Sequence, residues 1–188
     1  QNEINFPERS KQFDKYLELK LATVFRDKED LKIPEVSTLN RKSSDIFGSV
    51  NTYLFSNIDL GYDFSLDNDL KTVNSNSINS TIYLNNFVTT FNFIEERGNL
   101  GTSHVLKNTS IFKFNENNFL SFETRRNKEI NLTEYYDLSY EYRNDCLKAA
   151  IKYNKVFYQD QDLEPSEDLF LTISIIPLTT YERSLYKR

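Results

Sequence analysis

Few residues in this chain have the types and spacing that chemistry needs. His104 is the one histidine. It has no HExxH context, and its Gly/Asn/Ser surroundings read as a solvated loop. Cys146 is the one cysteine, and no base stands near it in sequence for thiolate catalysis. Asp67-Asn68-Asp69 resembles the start of a calcium loop but lacks the glycine and the terminal glutamate. Asp160, Asp162 and Glu164 could gather a divalent cation, although a solvated acidic loop is the better reading of them. Asn79-Ser-Thr, Asn108-Thr-Ser and Asn131-Leu-Thr match the glycosylation pattern, which an Asn-rich chain produces by chance. The expectation is a protein that is not an enzyme and needs no cofactor or metal. What remains is a set of charges at alternate positions: Lys148, Lys152, Asn154, Glu123, Arg125, Asp59 and Asp63. On one face of a sheet they would line a polar surface able to meet an amphipathic cargo.

The elements that must carry those charges are strands. Tyr136, Leu138, Tyr140 and Tyr142 alternate with Asp137, Ser139, Glu141 and Arg143, the period of two that marks a half-buried strand. After the turn Arg143-Asn144-Asp145, Cys146–Tyr158 alternates again, with Leu147, Ala149, Ile151 and Tyr153 opposite Lys148, Lys152 and Asn154. An acidic loop, Gln159–Glu167, leads into Asp168–Pro177, read as the final strand. Upstream, strands are expected at Lys15–Phe25, Asp45–Phe55, Ile58–Leu66, Ser77–Leu84, Phe87–Glu95, Lys107–Phe114 and Phe119–Arg126. Between Val50/Thr52/Leu54 and Tyr53/Phe55 the facing of the second of these stays open. Residues 1–14 read as a loop or a strand edge, Arg26–Ser44 as a charged loop containing Pro34, and Glu96–Leu106 as a polar loop.

Short turns fall near residues 57, 86, 117 and 144, about thirty residues apart, with longer polar connections between them. An up-and-down meander with short turns at one end and long loops at the other is the outer-membrane pattern, and strands of about nine to eleven residues suit a tilted bilayer crossing. The expected fold is therefore all-β, an antiparallel meander of about ten strands, part of a transmembrane barrel over residues 1–188. In that setting the apolar face meets lipid and the polar face lines the lumen. A soluble β-sandwich or solenoid would show similar alternation with the faces reversed.

The totals agree with either. The chain has 188 residues, 27% of them charged, with 15 Phe and 12 Tyr but no Trp or Met. No run of about 18 apolar residues exists, which excludes a transmembrane helix but not a barrel. The missing Met and signal peptide lead us to expect a processed or excised piece of a longer protein. A net charge of −5 speaks against a nucleic-acid partner. Glycine and proline, four each, are scarce, and Asn and Asp make the turns instead. A lone cysteine in an exported protein points to a partner outside the segment, or to an inert thiol.

The stretch Tyr135–Pro177 resembles the C-terminal end of the LptD (OstA) family, the lipopolysaccharide-assembly outer-membrane β-barrels. The carrying residues are Tyr136-Asp-Leu-Ser-Tyr, Tyr142-Arg-Asn-Asp-Cys146-Leu, Tyr153-Asn-Lys, the Asp160-Gln-Asp162 to Pro165 loop, and Phe170-Leu-Thr-Ile-Ser. Upstream, Phe25-Arg26-Asp27-Lys28-Glu29-Asp30 through Pro34 to Ser44-Asp45-Ile46-Phe47-Gly48 is similar to the family's loop-to-strand passage. The likeness is specific at the C-terminal end and diffuse between. It implies the last strands of a large barrel in the cell outer membrane, without the family's N-terminal jelly-roll domain. It implies insertion of lipopolysaccharide into the outer leaflet, supply through a periplasmic bridge, and an LptE-like lipoprotein plug against the polar face. It implies that Cys146 is oxidised to a cysteine of the jelly-roll domain. The family commonly carries adjacent cysteines there, and Asp145-Cys146-Leu147 allows one disulfide at most. It implies, too, that the final strand, with Leu169, Leu171, Ile173, Ile175 and Pro177, walls a lateral exit. Pro177 has no N–H to donate across that seam, although the better reading is that it merely ends the strand. Two other functions fit the pattern: a general porin or receptor barrel, and a soluble secreted β-rich adhesion or structural domain.

Overall fold

A computed structural model describes residues 3–8, 15–33, 38–98, 101–157, 164–175 and 179–187. The described residues form eleven strands and no helix: β1 Leu17–Ala22, β2 Ile46–Thr52, β3 Ile58–Leu66, β4 Val73–Leu84, β5 Phe87–Gly98, β6 Gly101–Asn115, β7 Asn118–Asn127, β8 Leu132–Arg143, β9 Leu147–Val156, β10 Ser166–Ile175 and β11 Thr179–Lys187. They make one antiparallel up-and-down sheet in sequence order, β1 to β11, not closed into a barrel. The expected all-β meander is there, with one strand more than expected. The chain resolves into two compact units, one of Gln1–Ser10, Ile82–Phe91 and Leu106–Arg188, the other of Lys11–Thr81 and Asn92–Val105.

In the first unit the register sorts side chains by face. Leu120, Tyr140 and Ile151 stand in line across β7, β8 and β9, as do Phe122, Leu138 and Tyr153. β10 continues the rows, with Leu171 opposite Ile151 and Leu169 opposite Tyr153. Directly opposed residues share a face, so these rows build one broad apolar face. Phe114 and Tyr140 meet edge to face at 6.5 Å, and Phe122 stacks with Tyr136 at 6.2 Å. The other face takes Glu123 opposite Asp137, which in turn lies opposite Asn154, and Lys152 opposite Ser139 and Phe170. The turn residues lock neighbouring hairpins together at one end: Lys113 N–H donates to Asn86 O and Arg143 N–H to Asn117 O, both at 2.8 Å.

In the second unit Leu17, Leu19 and Leu21 of β1 oppose Thr52, Val50 and Gly48 of β2. These oppose Leu60, Tyr62 and Phe64 of β3. The open question of facing is thereby settled: Val50 and Thr52 share the leucine face, and β2 ends before Tyr53, which packs on Tyr16 at 4.7 Å. Gly48 is required here. A Cβ at this position would lie 2.0 Å from Phe64 Cζ, because the ring lies over the bare backbone. The connection after β1 is not a free loop. Phe25 bridges to Ser43, Ser44 Oγ accepts from Val24 N–H at 2.9 Å, and buried Asp45 accepts from Asn74 Nδ2 at 2.7 Å and Ser65 Oγ at 3.2 Å. Buried polar groups need such partners. Pro34 lies outside the described residues.

Three expectations are corrected. Glu96–Leu106 is not a loop: β5 runs to Gly98 and β6 starts at Gly101. β4 and β8 likewise begin earlier than the apolar pattern suggests, at Val73 and Leu132. Apart from Val73 and Leu132 themselves their extensions are polar, and hydrophobic alternation carries no signal there. Most consequentially, Asp168–Pro177 is not the final strand, because β11 follows and pairs along β10 from Asp168 to Ile175.

Candidate functional site

The polar face of the first unit is a lattice of paired charges. Glu123 of β7 accepts from Tyr135 OH of β8 at 2.6 Å and from Thr109 Oγ1 of β6 at 3.1 Å, and Lys107 Nζ lies 3.0 Å away. One carboxylate thus ties three strands. Arg125 Nε pairs with Glu134 at 2.7 Å. Asp137 receives Lys152 Nζ at 3.3 Å and the Asn154 amide. None of these groups is a nucleophile paired with a base. What they can offer a ligand is hydrogen bonds and compensated charge presented from neighbouring strands.

The lattice ends in a buried cluster at the short-turn end. Glu141 of β8 is 1% exposed, and its strand period aims it at the polar face, opposite Ala150 of β9. Arg143 Nη1 lies 3.5 Å from Glu141 Oε1 and Lys148 Nζ 3.5 Å from Oε2. Across this cluster runs the segment Glu3–Glu8. Ile4 N–H donates to Glu141 Oε2 at 3.4 Å, Arg143 Nη1 donates to the Ile4 carbonyl at 3.2 Å, and Lys148 Nζ pairs with Glu3 at 3.3 Å. Two side chains therefore satisfy one residue's backbone as a neighbouring strand would. Buried Ile4, Val88 and Phe119 belong to the same unit, Arg143 stacks 4.3 Å from the Phe119 ring centre, and Lys113 Nζ lies 6.0 Å from that of Phe6. The apolar face opposite is open: Leu138 is 42%, Tyr140 41% and Ile151 46% exposed.

The structure brings five of the seven expected polar residues together on one face of the first unit: Glu123, Arg125, Lys148, Lys152 and Asn154. Asp59 and Asp63 belong to the second unit. Asp63 opposes Ser49, which opposes Lys20, and lines an open depression of about 350 Å³ with Phe47 and Phe64. Leu169, Leu171, Ile173 and Ile175 share the apolar face of β10, an interior strand paired on both sides, so the expected edge position is overturned. Pro177, Asp160 and Asp162 lie outside the described residues. Cys146 is exposed, in a turn closed by Asn144 Oδ1, which accepts from Cys146 N–H at 3.0 Å and Leu147 N–H at 2.7 Å. His104 is not in a loop. It sits in β6 with Nε2 2.9 Å from Glu95 Oε1, an ion-pair distance without the alignment of a hydrogen bond.

Sequence reasoning missed Glu141 as the buried node. It appeared only as one of four polar alternates in β8, and nothing local distinguishes it from Asp137. The missed partner was Glu3–Glu8, whose signal is short: Glu3-Ile4-Asn5-Phe6 alternates once and stops at Pro7.

No family model matches the chain, and no curated protein matches it.

Proposed function

We propose that this sheet is a wall segment of an outer-membrane β-barrel that inserts lipopolysaccharide into the outer leaflet, its polar face toward the lumen and its apolar face toward lipid. One observation carries the membrane part. In the first unit the apolar face stands open while the opposite face holds paired charges and the buried Glu141. A water-soluble sheet needs the reverse, since a wide exposed apolar face drives association. In a barrel wall it is the expected arrangement. The cargo rests on the resemblance carried by Tyr136–Leu147 and Phe170–Ser174. Acyl chains require an apolar route and sugar phosphates a polar one. On this reading an LptE-like lipoprotein meets the lattice around Glu123 and Asp137. A jelly-roll domain supplies lipid from the periplasmic bridge, and Cys146 at the short-turn end bonds to a cysteine of that domain.

A photo-crosslinking residue at Lys152, in the intact protein in cells, tests both parts. The protein should stay in the outer-membrane fraction through a urea wash, and ultraviolet light should attach lipopolysaccharide at Lys152. Retention with no lipid adduct at Lys148, Lys152 or Asn154 would favour a porin or receptor barrel. Release by urea would favour a soluble β-rich domain and end the membrane reading.

A further inference from the structure

The Glu141–Arg143–Lys148 cluster does something the lattice of paired charges does not: it holds a segment of chain that belongs to no strand. Glu3–Glu8 adopts no regular structure and forms no ladder with the sheet. Its hold is concentrated at Ile4, the buried residue of the segment, with Asn5, Pro7 and Glu8 exposed. Glu141 accepts the Ile4 N–H, Arg143 donates to the Ile4 carbonyl, and Lys148 reads the acidic side chain before it. Glu141 Oε1 is buried and takes no hydrogen bond, with Arg143 Nη1 beside it at an ion-pair distance of 3.5 Å. A buried carboxylate left short of donors is costly unless something compensates it. The Ile4 N–H supplies part of that compensation at Oε2, as any extended backbone presenting an N–H there could.

We propose that Glu141, Arg143 and Lys148 form a docking site for an extended peptide, reading one residue's backbone and one preceding acidic side chain, and that residues 3–8 occupy it in cis as a releasable strap. Release follows from how the strap is held. Segments with few buried apolar contacts and no ladder open at low free energy. Asn144–Cys146, the turn beside the cluster, is closed by its own hydrogen bonds and does not depend on the strap. The site can therefore open with the sheet intact. The inference concerns the site alone and stands whether or not the sheet lies in a membrane.

The chain has no Trp, so Phe6→Trp in the full chain is a clean reporter. In this background the introduced indole should be shielded from acrylamide. Ile4→Pro removes the donated N–H without touching the sheet and should raise quenching toward that of free tryptophan, with the sheet's circular dichroism unchanged. Ile4→Val should leave the indole shielded. A labelled peptide Gln-Asn-Glu-Ile-Asn-Phe-Pro-Glu should then bind the Ile4→Pro chain saturably. Binding should be lost on adding Arg143→Gln, and a peptide with Lys in place of Glu at its third position should bind more weakly. An indole still shielded in Ile4→Pro would overturn the proposal. So would an opened strap with no peptide binding, or binding indifferent to Arg143→Gln. If Arg143→Gln alone disturbs the sheet spectrum, the comparison passes to Lys148→Gln, where undiminished binding of the acidic peptide overturns it as well.

Discussion

Replacing Glu141 with Ala separates a buried charge cluster from the surface pairs around it. Glu141 is 1% exposed, and the side chain of Lys148 beside it is 11% exposed. Removing one member of a buried pair leaves the other charged and poorly solvated, at a cost of about 3–5 kcal/mol. Arg143 retains solvent access and Lys148 retains Glu3 at 3.3 Å, so the low end applies, about 3 kcal/mol. For a chain of this length that lowers the melting midpoint by about 6–12 °C. Asp137→Ala is the control. Its partner Lys152 is half-exposed at 48%, and such pairs contribute about 0–1 kcal/mol. Its midpoint should fall by no more than about 4 °C. Thermal melts of the two variants in one detergent, followed by circular dichroism, give the comparison. Equal shifts would mean that Glu141 is not the compensated buried node described above, and the reasoning would fail there.

Facing is tested by neighbours in β9. Ile151→Arg places a charge on the apolar face, which costs about 2–4 kcal/mol at a bilayer midplane. Lys152→Glu stays on the polar face and leaves that face polar, so folded yield in detergent should fall much further for Ile151→Arg, and equal yields would count against the assigned facing. Under the barrel proposal Cys146, exposed at the turn, should be disulfide-bonded in the intact protein. Non-reducing electrophoresis should then separate wild type from Cys146→Ser, and identical mobility would exclude the disulfide.

How much was legible in advance divides by mechanism. That Leu138, Tyr140, Ile151 and Tyr153 share one face follows from alternation, because a one-residue slip would turn every side chain to the other face. The Asn-built turns were legible for the same kind of local reason. Asn85-Asn86 and Asn144 close their hairpins by side-chain and backbone geometry that Asn tolerates. Where strands extend past their apolar stretch, as β5 does through Glu95-Glu96-Arg97, the pattern is silent, and His104 was misplaced with them. Glu141 was out of reach for another reason. Its burial is made by Ile4, Arg143 and Lys148 together, and the contact with Ile4 spans most of the chain. Sequence spacing does not reveal which of several alternating carboxylates a distant segment will cover.

β11 changes what the barrel proposal can claim about its exit. With β10 as the edge, a seam there would break one ladder. In the structure β10 is paired from Ser166 to Ile175 with β9 and from Asp168 to Ile175 with β11. Opening at β10 would break an intact ladder inside the sheet, which a route for a bulky lipid does not require. β11 has one neighbour among the described strands. Its pairing also slips between Leu169 and Phe170, so that Tyr186 and Ser184 are matched while Leu185 is passed over. Such a bulge bends its strand and locally disrupts the ladder. An unpaired edge with a bulge near one end is the weaker boundary, and unpaired edges are where another strand adds. Within the barrel proposal, then, a movable seam does not lie along β10, and Leu169, Leu171, Ile173 and Ile175 become part of the lipid-facing wall.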